Sequence, residues 1–253
     1  MSGKLFIVGL GPGAPEMQTP QAATAVALAS DLVGYGPYVE RVPPRPGQTR
    51  HLSDNREELA RARHALDLAA QGRIVAVVSS GDAGVFAMAS AVFEAIEKGD
   101  PAWRALEVEV VAGVSAMFAV AAKLGAPLGH DFCAISLSDN LKPWDLVLRR
   151  LTLAAKAGFV IALYNPLSRA RPWQLGAAFD CLREILALET PVVFATAISR
   201  AEERIDIVDL ADADPARADM RTLVLVAAAT TRRIERPGMA PWLYTPRSAA
   251  ETA

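Results

Sequence analysis

Lysine, histidine and cysteine are all scarce in this chain. Of its 26 basic residues only 5 are lysine, and 28 acidic residues leave a formal charge of −2. So small a net charge gives no global attraction to nucleic acid or to an anionic membrane. Two cysteines, Cys133 and Cys181, cannot build a disulfide framework. Both fall in apolar segments and read as small buried hydrophobes. The three histidines, His51, His64 and His130, have no metal-ligand spacing with the cysteines or with each other. A metal centre held by side chains is therefore not expected. No G-x-S-x-G elbow and no credible Ser–His–Asp set occurs, which sets aside the serine hydrolases. No uncharged apolar run reaches the roughly 18 residues of a membrane span. No secretory h-region follows Met1, so a cytoplasmic protein is expected. The arginine excess follows either from coding composition or from a need for guanidinium forks that suit carboxylates.

What the chain does have is apolar residues, 52% of 253, enough for one large or two modest domains. The first half alternates strand and helix. KLFIVGL is a strand from Lys4 to Leu10, and Thr19 with Pro20 opens a helix running to about Ser30. DLVGY (31–35) is a short strand, and the Gly- and Pro-rich stretch after it is irregular. Arg56 to Gln71 is a helix closed by Gly72, RIVAVVSS a buried strand, and Val85 to Glu97 a helix. Val108 to Val111 is a strand and Ser115 to Lys123 a helix. Such alternation argues an α/β fold with a largely parallel sheet. The second half starts again with FCAISLS, a helix from Pro143 to Lys156, FVIALY, a helix from Trp173 to Leu186, and PVVFATAI. RIDIVDL and TLVLVAA have no convincing helix between them, which gives their sheet antiparallel character. We expect two α/β domains, residues 1–125 and 126–253, each with a mostly parallel mixed sheet flanked by helices.

The chemistry-bearing motifs sit at strand ends, where open α/β sheets build their sites. VGLGPGA matches G-x-G-x-x-A through Gly9, Gly11 and Ala14, with Asp31 about 20 residues on. Pro12 and Pro15 lack the N–H groups that hold a pyrophosphate, and the helix starts only at Thr19. An NAD-dependent oxidoreductase thus stays a weaker alternative to a Gly-Pro loop that lets backbone approach a bulky ligand. In SSGDAGVF, Gly81 and Gly84 allow sharp turns, and Asp82 either caps the helix near Val85 or meets a ligand. AGVSAM repeats the pattern with Gly113 and Ser115. SLSDNLKPW gathers Ser136, Ser138, Asp139, Lys142 and Trp144, and LYNPLSRARPW brings Tyr164, Asn165, Arg169 and Arg171. Arg pairs in such loops either clamp carboxylates or face solvent.

Taken in order, VGLGPG, SSGDAGVFAMA, AGVSAM, GHDFCAISLSDNLKPW, LYNP and YTPR resemble the tetrapyrrole (corrin and porphyrin) methylases over nearly the whole chain. GHDFCAISLSDNLKPW and LYNPLSR are most similar to the branch that methylates precorrin-3B at C17 and contracts the ring during cobalamin synthesis. The resemblance implies a two-domain fold with S-adenosylmethionine (SAM) in the cleft between domains, S-adenosylhomocysteine as product, a tetrapyrrole substrate and a homodimer. Carried over position by position, the cofactor residues are Pro12, Gly81, Asp82, Val85, Ser115, Ala116, Tyr164, Asn165, Ala195, Ala197, Thr222, Leu223 and Val224. Asp139, His130 and Ser136 are the candidates for moving protons during contraction, since general acid–base help is worth about 10²–10⁴ in rate. The chain departs from the family at Asp82-Ala83, where relatives often carry Asp-Pro. It also departs at Ala227 to Ala229, where they often carry glycine and polar groups, which puts contacts by that loop in question.

Overall fold

The structure, a computed structural model, describes residues 3–54 and 57–248. The chain divides into two compact units, Met1–Ala116 and Met117–Ala253. The sequence reading placed this division after Gly125. Two side chains of the helix between, Ala116–Leu124, find partners downstream. Phe118 meets the edge of Phe132, and Lys123 pairs with Glu203 at 2.9 Å.

Unit 1 runs β1 (Lys4–Gly9), α1 (Pro20–Leu28), β2 (Asp31–Tyr35), α2 (Gly36–Val39), β3 (Thr49–Ser53), α3 (Glu58–Ala70), β4 (Ile74–Ser79), α4 (Met88–Lys98) and β5 (Glu107–Val111). Its strands lie in the order β3-β2-β4-β1-β5, every pairing parallel. Both faces are covered, which is why the inner strands β2, β4 and β1 read as largely apolar runs. Leu5, Ile7, Val75 and Val77 pack with Leu66 and Val92 on one face. Phe6, Val8, Ala76 and Val78 pack with Ala22 and Val26 on the other. Thr19 caps α1 as expected, its hydroxyl accepting from the Ala22 N–H at 3.1 Å.

Two expectations for unit 1 need correction. The stretch read as irregular contains α2 and the edge strand β3, whose polar side chains hid it. The helix placed at Val85 begins at Met88, so Asp82 does not cap it. The start expected at Arg56 lies outside the described residues.

β2 opens on Asp31, whose side chain is fully buried. It accepts from His51 Nε2 at 2.9 Å, from Ser30 Oγ at 2.7 Å and from Arg73 Nε. His51 Nδ1 in turn lies 3.0 Å from His64 Nε2. Burial alone would raise the Asp31 carboxyl, but bonds from His51, Ser30 and Arg73 outweigh it and hold the pKa below its usual value. A depressed carboxylate contributes stability above its unfolded pKa of about 3.9 and loses it as pH falls through the lower folded value. Asp31→Asn is therefore expected to cost about 2–3 kcal/mol at pH 7, since Arg73 keeps partial access to water. Urea titrations should show the gap from the parent narrowing below about pH 4. A gap that is constant from pH 7 to pH 3 would refute this account.

Unit 2 continues with α5 (Ala116–Leu124), β6 (Gly125–Ala126), β7 (Phe132–Ser136), α6 (Trp144–Lys156), β8 (Val160–Tyr164), α7 (Gln174–Arg183), β9 (Pro191–Thr196), β10 (Arg204–Asp209), β11 (Thr222–Val226), β12 (Arg232–Arg236) and β13 (Met239–Tyr244). The main sheet is ordered β10-β9-β11-β8-β7, and β12-β13-β6 form a small second sheet. β7 and β8 are parallel, while β11 runs antiparallel to both β8 and β9, and β10 to β9. Antiparallel pairing thus prevails here, because β10 and β11 enter without crossover helices. Phe179 and Phe194 meet edge-on at the centre of a core with Leu151, Leu163 and Leu175. Cys133 and Cys181 pack partly buried against it, and burial pushes the Cys133 thiol up. The β12–β13 hairpin was missed because RRIERPGMAPWLY shows no clean alternation.

Candidate active site

In unit 1, three glycines sit at the C-terminal ends of the central strands. β1 ends at Gly9, and the chain reaches Gly81 just after β4 and Gly113 just after β5. The Gly11 N–H donates to Gly81 O at 3.0 Å, and the Gly81 N–H to Gly11 O at 2.9 Å. Gly11 and Gly81 take left-handed φ values of +73° and +67°. A Cβ on Gly113 would stand 2.2 Å from Gly81 O and 2.7 Å from Gly9 O. Three backbones meet here with no room for a side chain.

Asp82 ties the loops together. Its Oδ1 accepts from the Gly84 N–H at 2.8 Å and its Oδ2 from the Gly113 N–H at 2.9 Å. Of the two readings left open for this residue, a cap and a ligand contact, the geometry adds a third, a brace between strand-end loops. Pro12 is buried beside the Gly11–Gly81 bridge, Ser115 is buried, and Ser115 Cα and Ala116 N face Gly81. Val85 lies half-buried on the Asp82 loop, its N–H donating to Asp82 O at 3.3 Å. All the unit 1 residues of the cofactor set thus occupy one cluster of strand-end loops. Arg41 belongs with them and was not foreseen. It donates to Ser80 Oγ and to Gly11 O, both at 3.0 Å, from within a Pro-rich stretch whose spacing carries no signal.

In unit 2 a comparable edge forms where β7, β8 and β9 end and β11 begins. Ser136 pairs with Tyr164, Val224 with Leu163, and Thr222 with Thr196. Asn165 and Ala197, just past their strands, both have φ of +51°. Left-handed backbone at a non-glycine residue costs of order 1–3 kcal/mol and gathers at ligand clamps. β9 covers β11 from Thr222 to Val226, whereas β8 covers it only from Val224. The β8 side of Thr222 and Leu223 therefore faces no strand. Ala195 is buried within β9, and Tyr164 Oη accepts from the Met117 N–H at 3.2 Å. Ala227 to Ala229 follow the far end of β11, where the Ala227 N–H bonds Pro191 O at the start of β9. Their lost polar groups are therefore remote from Thr222.

The proton-transfer candidates separate. The Asn165 amide donates to Ser136 Oγ at 3.0 Å, and Arg171 Nη1 donates to Asn165 O at 3.0 Å. Asp139 Oδ2 accepts from Gln174 Nε2 at 3.1 Å. Burial pulls the Arg171 pKa down, and the Asp139 charge opposes that. His130 precedes β7, whereas Ser136 ends it, and the strand between spans about 13 Å. Its Nδ1 accepts from the Asp131 N–H at 2.8 Å, out of reach of Asp139. Gln174 was missed. It is 1% exposed, and among the described residues its buried Oε1 has no partner. The signal was a polar residue on the apolar stripe Gln174–Ala178–Leu182 of α7. Trp144, read as a helix-start residue, heads α6 after Pro143 and meets Trp173 edge-on at 5.0 Å, linking the loops after β7 and β8.

The dinucleotide alternative fails on the path of the first loop. After Gly13 the chain makes a short 3-10 turn, Pro15–Met17, before α1, so no tight strand–turn–helix exists.

Residues 4–214 match the family model of the Tetrapyrrole (Corrin/Porphyrin) Methylases. The chain belongs to this family. A precorrin-3B C(17)-methyltransferase of Sinorhizobium sp is 57% identical over 98% of this chain and 97% of its own. A probable cobalt-factor III C(17)-methyltransferase of Salmonella typhimurium is 40% identical over 90% of this chain and 93% of its own. The crystal structure of the methyltransferase CobJ matches with a TM-score of 0.92 at 52% identity, covering 97% of this chain and 100% of that one. The chain is thus a methyltransferase of the tetrapyrrole methylase type, and the α/β fold expected from the sequence is the fold of this family.

Proposed function

We propose that this methylase transfers a methyl group from SAM to C17 of precorrin-3B and contracts the ring to precorrin-4, within cobalamin biosynthesis. The observation that carries the reading is 57% identity along 98% of the chain to a relative bearing that activity in its name. SAM, when bound, supplies a methyl group on a sulfonium, ready for in-line displacement. The residues present suit such a ligand. Unit 1 draws the main chains at Gly9, Gly81 and Gly113 into one cluster of strand-end loops, and unit 2 leaves the β8 side of Thr222 and Leu223 without a strand. Asn165 and Ala197 hold strained turns beside that edge. For methyl transfer the chain's task is alignment, and orientation supplies roughly 7–11 kcal/mol of a barrier. Contraction needs proton movement as well, and we assign it to Asp139, held by Gln174.

The test is a single-turnover incubation with labelled SAM and precorrin-3B, read by the mass and absorption of the pigment. One added methyl with the contracted spectrum is expected. Tight S-adenosylhomocysteine binding without turnover would overturn the substrate assignment. The cobalt-containing counterpart is the second reading, favoured by the 40% identical relative, and is offered in parallel. The reading also makes the enzyme a cytoplasmic homodimer. Phe118, Phe132, Ile234 and Trp242 of unit 2 are exposed apolar groups suited to a second copy, and light scattering checks this. Among the described residues no helix is long and apolar enough to cross a membrane.

A further inference from the structure

Unit 1 contains a hollow of about 440 Å³ beside the Gly-Pro loop, within the size range of small-molecule sites. Its walls include Leu10, Pro15, Val26, Val42 and Pro43, and two cations, Arg41 and Arg45, line it as well. The Pro-rich wall is held in place from several sides. Gln48 Nε2 donates to Val26 O at 3.1 Å and Ala29 O at 3.0 Å, and Arg50 donates to Val39 O and Val42 O.

The two arginines differ in what they have left to give. Arg41 is engaged by Ser80 and the first loop. Arg45 is steadied by one bond, from Nη2 to Ala29 O at 2.7 Å, and among the described residues it makes no ion pair. A guanidinium carries five N–H donors in a rigid fork, so donors remain for a planar anion. Apolar walls with one fixed cationic fork select a ligand that is flat and greasy on one side and carboxylated at its edge. Lysine would serve less well, as a point charge without the fork.

We propose that this hollow receives a pyrrole edge of the tetrapyrrole, with its carboxylate on Arg45. The proposal deepens the substrate reading above and rests on it. It concerns neither the methyl donor nor the proton-transfer groups.

Two variants test it from opposite sides. Arg45→Gln removes the fork, and Ala27→Leu, on the exposed side of α1, fills the hollow with a good helix former. Each is read by precorrin-3B kinetics and by fluorescence titration with uroporphyrin III, a porphyrin rich in carboxylates. Loss of one charge-assisted pair should raise the KM and the uroporphyrin Kd about tenfold. S-adenosylhomocysteine affinity and the melting temperature should stay at the parent values. Parent-like KM and Kd in both variants, with normal parental turnover, would overturn the subsite and leave the function standing. A parent that ignores precorrin-3B yet binds uroporphyrin through Arg45 would sink the substrate and keep the subsite. If the parent does neither, both fall.

Discussion

Gly113→Ala is expected to destabilise the protein by about 3 kcal/mol and to abolish S-adenosylhomocysteine binding, the top of the usual overpacking range. The reason is what the new methyl would meet. It would stand 2.2 Å from Gly81 O and 2.7 Å from Gly9 O, carbonyls of two other strand-end loops. Flexible side chains can yield to such a clash, but these atoms are fixed. Gly9 ends a strand paired on both sides, and Gly81 is held by its reciprocal bonds with Gly11. The only way out is to move the loop after β5. That breaks the Gly113 N–H bond to Asp82 and displaces Ser115 and Ala116. Urea unfolding and calorimetric titration measure the two halves. Gly36→Ala is the control, because its new methyl meets nothing nearer than Leu52 Cδ2 at 3.8 Å. Equal stability of the two variants would mean that the glycine contact is not the constraint described.

The legible parts of this fold were those where local chemistry and tertiary structure agree. Thr19-Pro20 announced α1 because a hydroxyl cap and a fixed φ act within one turn. The strand-end glycines announced the meeting of three loops because only backbone can occupy that space. β3 was hidden, since an edge strand exposing Thr49 and Leu52 and half-burying Arg50 and His51 has no core-facing stripe to read. The Asp31–His51–His64 chain was also hidden, because β2, β3 and α3 bring those residues together across the sequence. His130, Ser136 and Asp139 looked like one group because they are near in sequence. An extended strand separates what a helix would have gathered. The link from Gln174 to Asp139 was hidden for the opposite reason, since the two lie far apart along the chain.

That separation makes Asp139→Asn the sharpest probe of the chemistry. The variant is expected to methylate within about twofold of the parent rate while contraction slows by about 10²–10⁴, the usual worth of general acid–base catalysis. Asparagine keeps the shape and a contact to Gln174 Nε2, so alignment for methyl transfer survives while the proton acceptor is gone. Rapid-quench samples should then accumulate a methylated pigment that keeps the uncontracted spectrum. Gln174→Leu should mimic this more weakly and shift the pH profile of contraction, since that side chain acts only through Asp139. His130→Ala should contract normally, because its ring lies beyond the other end of β7. Ser136→Ala should weaken cofactor binding rather than slow contraction, since its hydroxyl braces Asn165. Normal contraction by Asp139→Asn would remove this carboxylate from the mechanism. Loss of both half-reactions with a folded protein would make it a positioning group for the substrate instead. Only the split between the two half-reactions assigns the proton transfer to Asp139.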